Sequence, residues 1–119
     1  MENDHTVLSL NPNGMALERY ELELRDRGFV MISVSSPVEA RFEIEMGRCG
    51  VFLISYLTPP LIRDDLVLLF RRSCPQGTVV YVAQHPNHIV AGVDLLFLET
   101  DRPGSIAERI NAVRRLQAS

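Results

Sequence analysis

Val51-Phe52-Leu53-Ile54 is an unbroken apolar run that ends at Ser55. It is too short for a buried helix and lacks the apolar–polar alternation of a strand with one wet face. Strands of that kind sit in the middle of parallel sheets, covered by helices on both faces. The rest of the chain supplies partners for it. Val7-Leu8-Ser9-Leu10, Phe29-Val30-Met31-Ile32-Ser33-Val34, Thr78-Val79-Val80-Tyr81-Val82-Ala83 and Asp94-Leu95-Leu96-Phe97-Leu98 read as further strands. Helical segments over residues 15–27, 37–46, 61–72 and 103–116 alternate with them. Strand–helix alternation of this kind predicts a doubly wound α/β domain, closed by right-handed crossovers.

The punctuation agrees. Asn11-Pro12-Asn13-Gly14 are turn formers, and Pro12 cannot continue a sheet ladder. Gly28 suits the residue just past a helix end. Ser36 is placed to cap a helix whose first residue is Pro37, and Gly47 ends that helix. On it, Ala40 and Ile44 should face inward with Phe42 or Met46, while Glu39, Arg41, Glu43 and Glu45 face water. Between the fourth and fifth strands, Ile89-Val90-Ala91-Gly92 has room for one helical turn at most. Ile106, Ile110 and Val113 lie at helical spacing in the last segment. In open α/β sheets, sites form at the carboxyl ends of the strands. The segments to question are therefore 11–14, 55–60, 83–88 and 99–102.

With 119 residues, the chain reads as a single domain, 1–119, with an ordered core over about 6–117. All 12 basic residues are Arg. Schiff-base chemistry and a phosphate-binding lysine are thus excluded by composition. The net charge of −3 gives no basic footprint for nucleic acid. Cys49 and Cys74 are too few for a disulfide scaffold and read as thiols in a reducing compartment. No apolar run is long enough to span a membrane, and the polar, acidic start is not a signal peptide. The expected location is the cytoplasm.

The arrangement resembles the receiver domain of two-component response regulators over nearly the whole chain. Thr6-Val7-Leu8-Ser9-Leu10-Asn11 is similar to that family's opening strand, which normally runs into an acidic pair. Val51-Phe52-Leu53-Ile54-Ser55 is similar to the third strand, which ends in the phosphoacceptor. Pro59 stands where the family's loop proline follows its aspartate, and the segment from Pro103 is similar to the final helix. The resemblance implies a flavodoxin-like (CheY-like) five-stranded parallel sheet of order 2-1-3-4-5. The connection of residues 84–98 is shorter than the family's, which implies a fourth helix shortened or missing. The family's switch aromatic would fall at Leu96, and Phe97 should be core.

Receiver chemistry uses an acidic pair to bind magnesium and an aspartate to accept the phosphoryl group. A hydroxyl and a lysine hold the phosphoryl oxygens. Here the matching positions are Asn11 and Pro12, Ser55, Ala83 and Glu99. Asn11 and Pro12 bring no charge to a hard cation. Ser55 has no base or metal to activate it. Ala83 has no hydroxyl, and Glu99 is negative where the transition state calls for a cation. The resemblance implies the fold, and these five departures speak against the chemistry.

Other groupings have simple readings. His85 and His88 form a His-x-x-His without the further ligands that zinc needs. Asp64-Asp65 read as first-turn acids, and Arg71-Arg72 and Arg114-Arg115 as last-turn cations favoured by the helix dipole. The run Leu66-Val67-Leu68-Leu69-Phe70 is different, because a surface helix buries only one stripe. Leu66, Leu69 and Phe70 should pack on the sheet. Leu61, Val67 and Leu68 are left as a candidate interface, unless the loop of residues 85–93 covers that flank.

The sequence therefore points to a receiver-like signalling module that catalyses nothing. It would need no metal or cofactor and would act by docking to a protein partner in a phosphorelay context. A homodimer through the third helix is one form of that docking, and neither nucleic acid nor membrane is expected as a partner. Two alternatives stand beside it. One is a small-molecule binder or enzyme built from Asn11, Asn13, Ser55, Tyr56, His85 and Glu99. The other is an atypical receiver phosphorylated at Ser55.

Overall fold

The computed structural model describes residues 5–87 and 90–118. The chain runs β1 (Thr6–Leu10), α1 (Glu18–Asp26), β2 (Val30–Val34), α2 (Pro37–Glu45), β3 (Val51–Ser55), α3 (Pro60–Ser73), β4 (Thr78–Ala83), β5 (Leu95–Leu98), a 3-10 turn (Pro103–Ser105) and α4 (Ile106–Ala118). The five strands form one parallel sheet in the order β2-β1-β3-β4-β5. β3 is central and every residue of it is buried, as its unbroken apolar run requires. Alternate residues of the strands point to opposite faces. Val7, Val51, Leu53, Val80, Val82 and Phe97 pack under α1 and α4. Leu8, Leu10, Phe52, Ile54, Val79 and Tyr81 pack under α2 and α3.

Local chemistry sets the helix ends. Ser36 caps α2 by accepting the Glu39 N–H at 3.2 Å, with Pro37 as its first residue. α1 ends as foreseen: Gly28, at φ +92°, donates to Arg25 O, and Phe29 donates to Leu24 O at 3.0 Å. That pair of bonds is the left-handed glycine stop. The start of α1 is later than residue 15. The Asn13 side chain accepts the Met15 N–H and holds residues 13–15 in a turn, so the helix opens at Glu18. Strand β5 opens at Leu95; just before it the Asp94 N–H donates to Val79 O at 2.9 Å, and the Asp94 carboxylate takes the Val79 N–H and the Arg71 side chain.

Three side-chain expectations are corrected. Phe42 and Met46 are exposed, and only Ala40 and Ile44 of α2 are buried. Glu43 is half-buried, within 3.7 Å of Arg48. On α3 the buried stripe is Arg63, Leu66, Val67 and Phe70, a spacing of three, four and seven, with Leu69 only partly buried. Val67 is therefore core and no part of an outer surface. Its cover is the β4–β5 connection, where Val90 is buried, Val93 packs on the same cluster and Gly92 lies against the Val67 side chain. A Cβ at Gly92 would meet Val67 Cγ1 at 2.9 Å, and its φ of +81° also favours glycine.

No helix forms between β4 and β5 among the described residues. The connection is pinned by Arg71, which donates to Gly77 O at 2.7 Å, to Gly92 O at 2.8 Å and to the Asp94 carboxylate. A last-turn arginine of α3 thus fixes a loop where a helix would otherwise pack.

The fold also buries a thiol. Burial pushes Cys49 up to about 12 from its ordinary 9. An unfolded chain would release that proton near its ordinary value, so stability is present below pH 9 and declines as pH rises toward 12. Denaturation midpoints measured at rising pH should fall over that window, and less steeply in Cys49→Ala. Equal slopes in both proteins would remove Cys49 as the cause.

Candidate functional site

The carboxyl edge of the sheet collects Asn11, Ser55, Ala83 and Glu99 at the ends of neighbouring strands. Leu10 pairs with Ile54, Ser55 with Val82, and Ala83 with Leu98. Asn11 follows Leu10, and its N–H donates to Val34 O at 2.9 Å. Glu99 follows Leu98, and its N–H donates to Ala83 O at 2.9 Å. Pro12 lies beyond the ladder and is exposed.

The residues at this edge are mostly engaged. Ser55 is fully buried, and its Oγ accepts the Leu57 N–H at 3.3 Å. Ala83 is fully buried and offers only a methyl group. Glu99 Oε2 accepts a hydrogen bond from the Tyr56 hydroxyl at 2.6 Å, and Tyr56 N–H donates to Val82 O. That bond pushes the Tyr56 phenol above its usual range. Arg19 of α1 donates to the carbonyls of Glu99 and Asp101, and Tyr20 donates to Leu98 O at 2.6 Å. The end of β5 is thereby held by the β3–α3 loop on one side and by α1 on the other.

Two atoms at this edge have no hydrogen-bond partner among the described residues: Asn11 Oδ1 and Thr58 Oγ1, both on buried residues. Buried polar atoms are normally satisfied, by ordered water where protein groups do not reach. No three His, Cys, Asp or Glu side chains converge as a metal site among the described residues. Glu21, an acid of α1, is taken by the Ser9 hydroxyl. His85 is exposed on the β4–β5 connection, and His88 lies outside the described residues. Asp64 and Asp65 fall in the second turn of α3, because that helix starts at Pro60. Asp64 accepts from Arg63 at 3.0 Å, and Asp65 is exposed. Of the candidate interface residues, Leu61 and Leu68 are exposed.

Sequence reasoning placed Tyr56 and Glu99 at the same edge but did not pair them. The signal was available only as chemistry, a phenol one residue past β3 and a carboxylate one residue past β5. Arg19 and Tyr20 gave no signal of their role, since a helix mixing Glu, Arg and apolar residues does not say which reach the sheet edge.

No known sequence family and no curated protein matches this chain. Its fold is that of response regulator receiver domains. It is similar to a CheY-like receiver domain protein from Methanospirillum hungatei JF-1, at TM-score 0.78 and 16% identity, covering 95% of each chain. It is similar to a receiver protein from Sinorhizobium medicae WSM419, at TM-score 0.78 and 18% identity, covering 98% of each. A response regulator from Thermotoga maritima gives TM-score 0.76 at 15% identity, over 95% of this chain and 98% of that one. At this level of identity the likeness is one of architecture. No helix among the described residues is long and apolar enough to cross a membrane.

Glu99→Lys should be tolerated. The Glu99 side chain accepts one hydrogen bond, from Tyr56, and a single bond of this kind contributes about 1 kcal/mol net. Urea unfolding should show a loss of that order, matched by Tyr56→Phe. A loss above about 2 kcal/mol would mean that the carboxylate carries more of the fold than this one bond.

Proposed function

We propose that this domain is a receiver-like module that does not accept a phosphoryl group and acts by binding protein, in a two-component or phosphorelay setting within the cytoplasm. The observation that carries the reading is the state of the third-strand terminus. Ser55 is fully buried, and its oxygen accepts the Leu57 N–H. Beside it stand Asn11, Pro12, Ala83 and Glu99, which supply no cation-binding acid pair, no hydroxyl and no positive charge. Phosphoryl transfer depends on positioned positive charge; Glu99 puts a carboxylate after β5 instead, and the nearby Arg19 guanidinium is turned to the carbonyls of Glu99 and Asp101. The receiver fold of the neighbours and the missing chemistry together favour docking as the mode of action, with no enzymatic turnover.

Incubation with acetyl phosphate and magnesium tests it. The intact mass should stay unchanged. A gain of one phosphoryl group, mapped to Ser55, would overturn the reading in favour of an atypical receiver.

A second reading rests on Asn11 Oδ1 and Thr58 Oγ1, two buried atoms at this edge without a hydrogen-bond partner among the described residues. A small polar ligand donating hydrogen bonds would satisfy such acceptors. A crystal structure with water alone at these atoms counts against that reading, and an ordered organic ligand bridging them would establish it.

A further inference from the structure

The outer face of α3 carries an unusual line of residues. Leu61, Asp65, Leu68 and Arg72 recur at spacings of four, three and four, which places them on one side of the helix. That side is opposite the stripe Arg63, Leu66, Val67 and Phe70 that packs on the sheet. All four are exposed, Leu61 at 82% and Leu68 at 52%. Neither Asp65 nor Arg72 has an ion-pair partner within the described residues, whereas Asp64 is taken by Arg63 and Arg71 by Asp94. A shallow groove lined by Arg41, Asp65, Leu68, Leu69 and Arg72 runs along the α2 side of this line. On α2, Val38 and Phe42 are also exposed, Phe42 with the Arg48 guanidinium 5.8 Å from its ring centroid.

The order of charges selects the occupant. Acid precedes the exposed leucine and base follows it. When such a helix is laid against a copy of itself in the reverse direction, Leu68 meets Leu68 and Leu69, and Asp65 of each chain meets Arg72 of the other. The pattern is self-complementary under a two-fold axis, which is the requirement for an isologous dimer. Antiparallel alignment also opposes the two helix dipoles favourably. The groove holds two cations, Arg41 and Arg72, beside Asp65, but an acidic peptide would meet only the cations and leave Asp65 facing a like charge, whereas a second copy matches Asp65 and Arg72 together.

We propose that the outer face of α3, flanked by α2, is a homodimer interface in which two copies pair antiparallel about Leu68, with Asp65 and Arg72 bonded across the axis. This deepens the docking reading above by naming a second copy as a partner. The phosphoryl-donor experiment tests that reading separately.

The experiment is sedimentation velocity on the full chain with charge-reversal variants. The wild type should pass from monomer to dimer as concentration rises. Asp65→Arg and Arg72→Asp should each remain folded by circular dichroism and dimerise about tenfold or more weakly, since each sets like charges face to face twice per dimer. Mixed in equal amounts, the two variants should form a heterodimer, because every cross pair is again opposite in sign. The double variant should dimerise as the wild type does. A wild type monomeric at every concentration, or a dimer indifferent to both reversals, would overturn the proposal. So would reversals that weaken the dimer without rescue on mixing. If an acidic peptide binds the groove while the wild type stays monomeric, the face serves another partner and the proposal is likewise overturned.

Discussion

Val67→Glu is expected to abolish folding, while Leu68→Glu is expected to leave the domain folded. The two positions are adjacent on one helix, and both belong to the same apolar run. Val67 is buried among the residues that join α2 and α3 to the sheet, with Gly92 of the β4–β5 connection directly against it. A carboxylate there would lose its hydration, and the cation one turn back, Arg63, is already bonded to Asp64 and set over the Tyr81 ring, so the cost is several kcal/mol. Domains of this size hold about 5–15 kcal/mol in all, so the loss removes most or all of the stability. Leu68 is half-exposed, and the same change at that position places a carboxylate in water. Circular dichroism and a urea titration separate the outcomes. A folded Val67→Glu variant of ordinary stability would mean that the β4–β5 connection does not cover this flank.

Asp94→Ala is expected to cost about 2–4 kcal/mol, the second large effect. The Asp94 carboxylate accepts the Val79 N–H at 2.7 Å and is paired with Arg71. Val79 is fully buried, so its N–H loses its side-chain acceptor in the variant, at about 1–3 kcal/mol. The Arg71 guanidinium, about one quarter exposed, loses its counter-charge at the same time. Arg71→Ala should cost a similar amount, because it frees the carbonyls of Gly77 and Gly92 as well. The double variant should cost less than the sum, since both changes dismantle one network. Hydrogen exchange should quicken at residues 90–95 and at Val79. Protection unchanged there would show that the connection is held by its apolar contacts alone.

The architecture was legible because it depends on periodicity. The unbroken Val51–Ile54 run, rich in β-branched and aromatic residues and bounded by Gly50 and the Pro59-Pro60 pair, reads as a strand buried on both faces, and the residues between runs are turn formers and caps with fixed conformational roles. The shortened connection after β4 was legible from its length. Side-chain facing on α3 was not. In a run of five apolar residues every helical phase is equally apolar, and the choice between Val67 and Leu69 was made by what lies above each. Val67 is covered by a loop fastened through Arg71, a contact across the chain that no local pattern announces. Phe42 and Met46 are a related case: α2 buries a single stripe, Ala40 and Ile44 one turn apart, and both larger side chains lie off it. At the carboxyl edge the residue identities were legible and their bonding was not. The Tyr56–Glu99 bond joins positions far apart in sequence, and only the strand register brings them together.

The central claim is that the carboxyl edge is silent toward magnesium and phosphoryl-like ligands. Amide spectra of the isotope-labelled domain, recorded before and after adding magnesium with beryllofluoride, test it most directly. No shift beyond that of added salt is expected at Asn11, Ser55, Tyr56, Ala83 and Glu99. Saturable, magnesium-dependent shifts centred on Ser55 would contradict it.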